Sequence, residues 1–252
     1  MNIENNCDLW SVAITDKQEK GASAYLSVFQ TAELSSFSPE IHCLHPLERS
    51  YFDSLKSKRR IQSYLSGRMA AKLAVSMSIH ENRLETICID RGLFQQPVIV
   101  HPSKGNYQVS ITHNVKLAAA IAHTEHVPMG IDLESIDERL LSFFKPYVTD
   151  LELTLCRSLI FHDSLLFTIL WTTKEALSKV LRTGLTVPIQ LFELNHMEER
   201  QGYIISRFTN FPQYEAVSFL FQNEVCSIVY PKQLELNNEV IQQLFVKAGC
   251  NT

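Results

Sequence analysis

The chain has 252 residues, 45% of them hydrophobic and 20% charged, a globular balance that argues against disorder and leaves room for one large domain or two small ones. Its formal net charge of −4 provides no general positive field, so nucleic acid is not an expected partner. The six cysteines, Cys7, Cys43, Cys88, Cys156, Cys226 and Cys250, are scattered without a C-x-x-C pair, which reads as reduced thiols in a cytoplasmic protein and excludes a disulfide framework or a zinc ribbon.

The opening stretch, MNIENNCDLW, lacks the basic-then-apolar pattern of a secretory signal. LWSVAI (9–14) reads as a first strand, and 15–45 are mixed and mostly polar, with FSPE as a turn signal. From Ser54 to Ile79, Ile61, Leu65, Met69 and Leu73 recur four residues apart, which predicts an amphipathic helix. Gly67 sits in its middle at a cost of about 1 kcal/mol against Ala, so it marks a place where something approaches closely. ETICID (85–90) and PVIV (97–100) read as strands around the loop RGLFQQ. YQVSIT (107–112) and LAAAIAH (117–123) read as a hairpin over HNVK, and the strand MGIDLE follows. Residues 138–162 are helical in parts and broken at Pro146. SLLFTILWTTKEALSKVLRTG (164–184) is the second strong helix, with Gly184 suited to its C-cap and Arg182 to its dipole. LFEL, YIISRF, AVSFLF and VCSIVY read as strands, and 237–248 as a last helix. No run of about 18 apolar residues occurs, so no transmembrane helix is expected.

Two halves emerge, residues 1–125 and 126–252, each with a long helix and several strands. SGRMAAK in the first helix and TTKEALSK in the second hint at duplication. The order of elements predicts an α+β fold with helices packed on mainly antiparallel sheets.

Phosphate loops of the G-x-x-x-x-G-K-[ST] type, G-x-G-x-x-G, G-x-S-x-G and H-E-x-x-H are all absent. The H-x-x-H pairs His42/His45 and His123/His126 fit surface or turn histidines better than a metal site. MGIDLESID is more informative. In a strand, Ile131 and Leu133 face one way and Asp132 and Glu134 the other. Either that face is wet or its carboxylates hold something positive. Trp171, Glu175 and Lys179 share one face of the second helix. Taken alone, Glu175 and Lys179 make an exposed pair worth about 0.2–0.5 kcal/mol. Joined to Asp132 and Glu134, Glu175 would complete a hard-oxygen site suited to Mg2+. On the first helix, Lys56, Lys58, Arg59, Arg60, Arg68 and Lys72 form a run without an acid. That run is either a solvated face or a seat for phosphates. Thr112 and His113 offer a hydroxyl and an imidazole in a turn.

Together these pieces resemble the 4'-phosphopantetheinyl transferases of the larger, surfactin-activating type. That family has a G-[IV]-D-x-E strand, here Gly130-Ile131-Asp132-Leu133-Glu134, followed by [FW]-[SCT]-x-K-E-[AS]-x-x-K, here Trp171 to Lys179. Its G-L-[ST]-x-P-L-x-x-F segment is similar to Gly184–Phe192. KRRIQSYLSGRMAAKLA resembles its basic helix and SITHN its S-I-S-H-S segment. The family's G-K-P loop, which lies along the adenine, stands here as Gln95-Gln96-Pro97, without the lysine.

The resemblance implies two similar α/β subdomains in a pseudo-twofold arrangement, each a mainly antiparallel sheet on a long helix, with the active site between them. It implies coenzyme A as donor and a serine of an acidic apo acyl or peptidyl carrier protein as acceptor. Asp132, Glu134 and Glu175 would hold Mg2+. Glu175 would act as general base and Lys179 on the leaving phosphate. Arg60, Arg68 and His113 would hold the 3'-phosphate, with Gln96, Pro97 and Thr112 also lining the nucleotide. Arg49, Lys58 and Arg59 are further candidates for phosphate contact. A monomer is expected, since both halves lie in one chain. A catalytically inactive carrier-binding module and a Mg2+-dependent nucleotide phosphohydrolase are the rival readings.

Overall fold

A computed structural model describes residues 10–16, 22–31, 38–93, 95–101, 105–184 and 186–250. Cys7, Leu9 and Leu185 therefore lie outside the described residues. In chain order the elements begin with β1 (Trp10–Asp16), β2 (Ala22–Gln30), α1 (Ser38–His42), α2 (Pro46–Asp53) and α3 (Lys58–Ile79). The strands β3 (Cys88–Arg91), β4 (Pro97–Val100), β5 (Tyr107–His113), β6 (Leu117–Thr124) and β7 (Gly130–Ser135) follow. Next come α4 (Leu141–Phe144), α5 (Asp150–Arg157) and α6 (Asp163–Leu181). The chain ends with β8 (Leu194–Arg200), β9 (Tyr203–Phe208), β10 (Tyr214–Phe221), β11 (Glu224–Pro231), β12 (Leu234–Glu235) and α7 (Asn238–Cys250).

Two antiparallel sheets are ordered β12-β1-β2-β6-β5 and β7-β11-β10-β9-β8, and β3 and β4 form a separate ribbon. The inner faces of the sheets pack on one another through Leu26, Val28 and Ile121 from the first and Ile131, Leu133, Phe219 and Ile228 from the second. Helix α3 covers the outer face of the first sheet and α6 that of the second. After β11 the chain returns: β12 pairs with β1, and α7 adds Ile241, Leu244 and Phe245 to the shared core.

The halves follow the same path. The order β2, α2, α3, β3, β4, β5, β6 corresponds to β7, α5, α6, β8, β9, β10, β11. The match extends to single side chains. Glu48 at N3 of α2 closes a capping box on His45, accepts the Ile89 amide at 2.9 Å and pairs with Lys72 at 2.7 Å. Glu152 at N3 of α5 closes a capping box on Thr149, accepts the Leu194 amide at 2.9 Å and pairs with Lys174 at 2.7 Å. Lys72 also donates to the carbonyls of Leu84 and Ile87, and Lys174 to that of Tyr147. All four side chains are at most 2% exposed. Burial on this scale is tolerable because every ion is paired and hydrogen-bonded. The structural equivalent of Lys72 is thus Lys174, whereas the sequence repeat would set it against Lys179.

Several elements differ from the sequence expectation. Pro46–Asp53 forms α2, so the first long helix starts at Lys58 rather than Ser54. The expected mixed segment contains β2. Arg182 itself takes the left-handed C-cap conformation of α6, with φ 56°, in the place expected for Gly184. LFEL is a 3-10 turn leading into β8. Asp137 caps a short 3-10 turn through the Arg139 amide, consistent with its reading as a turn residue. Among the described residues, Cys88, Cys156 and Cys226 are free thiols.

Candidate active site

The edge strands β5 and β7 meet where the halves join. Side chains of β5 satisfy the edge amides of β7 that face away from its own sheet: the Ile131 amide donates to Ser110 Oγ at 3.1 Å and the Leu133 amide to Thr112 Oγ1 at 3.0 Å. An edge strand with unpaired amides would otherwise need water or another chain. Gly130 lets β7 lie close on α6, because a Cβ there would stand 2.1 Å from the Ala176 carbonyl oxygen. That approach brings Asp132 and Glu134 beside Glu175 and Lys179. A cleft of about 620 Å³ opens here, lined by both halves.

The alternation along β7 is as expected. Ile131 and Leu133 are in the core, and the carboxylates of Asp132 and Glu134 line the cleft. Asp132 Oδ1 accepts from Lys179 Nζ at 2.7 Å and from Thr112 Oγ1 at 3.1 Å. Lys179 also donates to the carbonyls of Ile131 at 2.8 Å and Ile111 at 3.2 Å, so all three of its donors are engaged. Burial, with Asp132 next and Glu175 and Glu224 adding to it, pushes the Glu134 carboxyl up to about 7 despite the opposing Lys179. Burial and then Asp132 also raise Glu175.

The other wall is basic. Arg60, Arg68, Arg91 and His113 line it. Arg60 and Arg91 pair with no carboxylate among the described residues. Arg68 lies over the Tyr64 ring at 4.7 Å, Tyr64 and Tyr51 have ring centroids 5.1 Å apart, and Arg91 lies over Tyr51 at 4.2 Å. Cation–π stacking of this kind holds guanidinium planes in place with their edges free for phosphate oxygens. Glu48 also reaches Arg68, at 3.4 Å. His113 Nε2 is 2.8 Å from Ser63 Oγ. Its ring rests on α3 at Gly67, where a Cβ would meet Cδ2 at 3.3 Å. The close approach marked by Gly67 is therefore that of an imidazole. Burial, and then Lys179, lower the His113 pKa.

Not every candidate comes to the cleft. Lys72 points into the core and pairs with Glu48, so it is no part of the phosphate seat. Arg49 is exposed and bonded to Asp53 at 3.0 Å, outside the cleft lining. Arg59 lines an adjoining hollow with Arg60, Ser63 and Glu134, and Lys58 lines neither. Gln95, with φ 65°, and Pro97 face the cleft. Gln96 lies against Gly92 and lines a neighbouring pocket of about 250 Å³ instead. Sequence reasoning missed Arg91, Tyr51, Tyr64 and Ser63. Arg91 stands opposite Pro97 in the β3–β4 ribbon, and the hairpin pattern was the only signal that could have placed it at the cleft.

Among the described residues no three His, Cys, Asp or Glu side chains are gathered in ready ligating geometry. The residues nevertheless suit a divalent cation. Asp132 Oδ2 is buried with no hydrogen-bond partner, and after burial it is the Asp132 carboxylate that raises the proton affinity of both Glu134 and Glu175 around one cleft. A hard cation with oxygen ligands would satisfy the orphan oxygen and relieve the repulsion.

Residues 128–229 match the model of the 4'-phosphopantetheinyl transferase superfamily. That stretch includes Asp132, Glu134, Glu175 and Lys179 but none of the basic wall. No curated protein sequence matches the chain. Among solved structures, the chain is similar to a holo-(acyl-carrier-protein) synthase from Bacillus anthracis str. Ames in complex with CoA (3',5'-ADP). Identity is 18%, over 45% of this chain and 97% of that one, with a TM-score of 0.37.

Proposed function

We propose that the chain transfers the 4'-phosphopantetheine group of coenzyme A to a serine hydroxyl of an apo acyl or peptidyl carrier protein, releasing adenosine 3',5'-bisphosphate. One observation carries the reading. A single cleft sets Asp132, Glu134, Glu175 and Lys179, within the stretch that matches the family model, against Arg60, Arg68 and His113. A molecule with a phosphate at one end and a pyrophosphate toward the other suits such a wall pair.

In the reaction, the serine oxygen bonds to the phosphorus that carries pantetheine. The bond from that phosphorus to the bridging oxygen breaks, and the nucleotide leaves with the electron pair. Glu175 takes the serine proton. Its raised proton affinity suits a general base working near neutral pH. Lys179 holds Asp132 in place, and its longest bond, to the Ile111 carbonyl, is the one a leaving phosphate oxygen would replace. Asp132, Glu134 and Glu175 would hold Mg2+, which when bound neutralises pyrophosphate charge. Arg60, Arg68 and His113 fix the 3'-phosphate, while Gln95 and Pro97 lie along the nucleotide. Both walls come from one chain, so a monomer suffices.

The test mixes the protein with coenzyme A, Mg2+ and an apo carrier, and weighs the carrier by mass spectrometry. A phosphopantetheine adduct is expected. Free phosphate without an adduct would overturn transfer in favour of hydrolysis, and neither product would point to a carrier-binding module.

A further inference from the structure

Glu224 opens β11 with a side chain only 2% exposed, and it lines no part of the cleft. Its carboxylate accepts from Ser135 Oγ at 2.9 and 3.1 Å and from Asn114 Nδ2, with Lys116 Nζ at 3.9 Å. Ser135 follows Glu134 and pairs with Glu224 across the ladder. Asn114 follows His113, in the turn between β5 and β6. That turn is itself fixed, because Asn114 Oδ1 accepts the amides of Lys116 and Leu117, each at 2.9 Å. One buried carboxylate thus grips the residue after His113 from the first half and the residue after Glu134 from the second. An apolar side chain would fill this space without the desolvation cost that raises the Glu224 carboxyl. An ionised acceptor does what an apolar group cannot: it fixes two donors that belong to different halves.

We propose that Glu224 is a positioning residue that sets the separation of His113 and Glu134, and with it the fit of the cleft to a ligand reaching both walls. The consequence for coenzyme A rests on the transfer reading above. Glu224 touches no reacting atom and acts through Asn114 and Ser135.

The variants are Glu224→Ala, Glu224→Gln, Asn114→Ala and the Ala/Ala double. Gln keeps a side-chain oxygen that accepts from Ser135 or Asn114. The first readout is the imidazole NMR signal of His113 in the protein without ligand. The second is the split between KM for coenzyme A and kcat in carrier loading. Glu224→Ala is expected to move the His113 signal and raise KM about tenfold, the loss of one charge-assisted bond's worth of placement. Glu224→Gln should restore most of both, and the double variant should be no worse than either single. If Glu224→Ala does not fold, Asn114→Ala must show the same shift and the same KM change. A folded Glu224→Ala or Asn114→Ala protein with unchanged His113 signal and KM overturns the proposal, as does full additivity in the double variant. A wild-type protein that loads no carrier sinks the transfer reading alone, because the His113 signal still decides the clamp.

Discussion

Lys179 Nζ stands 2.7 Å from Asp132 Oδ1 while its other two donors hold the carbonyls of Ile131 and Ile111. One ammonium therefore joins α6 to β7 and to β5 of the other half, and does so at the floor of the cleft. On the transfer reading proposed above, stability and chemistry would meet in the same side chain. Lys179→Met is expected to lower unfolding free energy by about 2 kcal/mol, since hydrogen bonds to a charged group are worth about 1.5–3 kcal/mol each and solvent replaces part of them at this partly exposed site. Urea unfolding reads that cost. Single-turnover loading should slow by much more than coenzyme A binding weakens. A pure binding defect would remove Lys179 from the reaction.

Asp132 has the complementary problem. Its Oδ2 is buried without a partner, and among the described residues Lys179 is its one ion-pair partner. Asp132→Ala and Glu175→Ala should both leave the protein folded and abolish transfer. Full activity of either with Mg2+ would refute the assignment of the acids.

Glu134 makes the fold itself sensitive to pH. Burial, and then Asp132 beside it, push its folded-state pKa up to about 7, above the 4.5 of an ordinary glutamate. The folded protein thus binds a proton that the unfolded chain has lost, so this contribution is full below about 4.5 and disappears as pH rises through about 7. Without metal, the urea midpoint should therefore fall between pH 5 and pH 8, and Glu134→Gln should flatten the fall. Adding Mg2+ at pH 8 should raise the wild-type midpoint, because a ligand of the folded state stabilises it by mass action. An equal Mg2+ effect on Glu134→Gln would mean the cation binds elsewhere.

His113 titrates low because its ring is buried beside Lys179. A phosphate placed against it would reverse the balance, since a nearby anion favours the imidazolium. Adenosine 3',5'-bisphosphate should raise the His113 pKa in an NMR titration, and adenosine 5'-monophosphate should do so less. Arg60→Gln should weaken the bisphosphate about tenfold, given that Arg60 pairs with no described carboxylate and a charge-assisted bond is worth that much. Equal shifts with both nucleotides would move the 3'-phosphate away from His113.

The acid wall was legible in the sequence because short-range periodicity fixes it. Alternation in β7 sets Asp132 and Glu134 on one face, and the four-residue helical spacing aligns Glu175 with Lys179. The basic wall was half legible. Arg60 and Arg68 line the cleft, but nothing local separates them from Lys72, whose stem runs into the core toward Glu48 on another helix. Helix α2 was missed because its N-cap is His45, not one of the usual capping residues. Arg91 and Glu224 act through contacts across hairpins and between halves, which periodicity within one element cannot show.

The twin locks offer a stability test that is independent of chemistry. Glu48 with Lys72 and Glu152 with Lys174 repeat one arrangement, each tying a short helix, a long helix and a strand. Glu152→Ala leaves Lys174 buried and unpaired and strands the Leu194 amide, so it should cost about 3–5 kcal/mol. Glu152→Leu combined with Lys174→Met removes both charges and should recover most of that loss, because well-packed apolar pairs often replace buried ion pairs without penalty. The same pair of experiments at Glu48 and Lys72 should differ in one respect. Glu48 also reaches Arg68, so Glu48→Leu with Lys72→Met should restore stability while still weakening adenosine 3',5'-bisphosphate. Calorimetry at 25 °C on both double variants separates the outcomes. If the nucleotide binds the Glu48 and Glu152 double variants equally well, the first lock has no hold on the basic wall and Arg68 is positioned by Tyr64 alone.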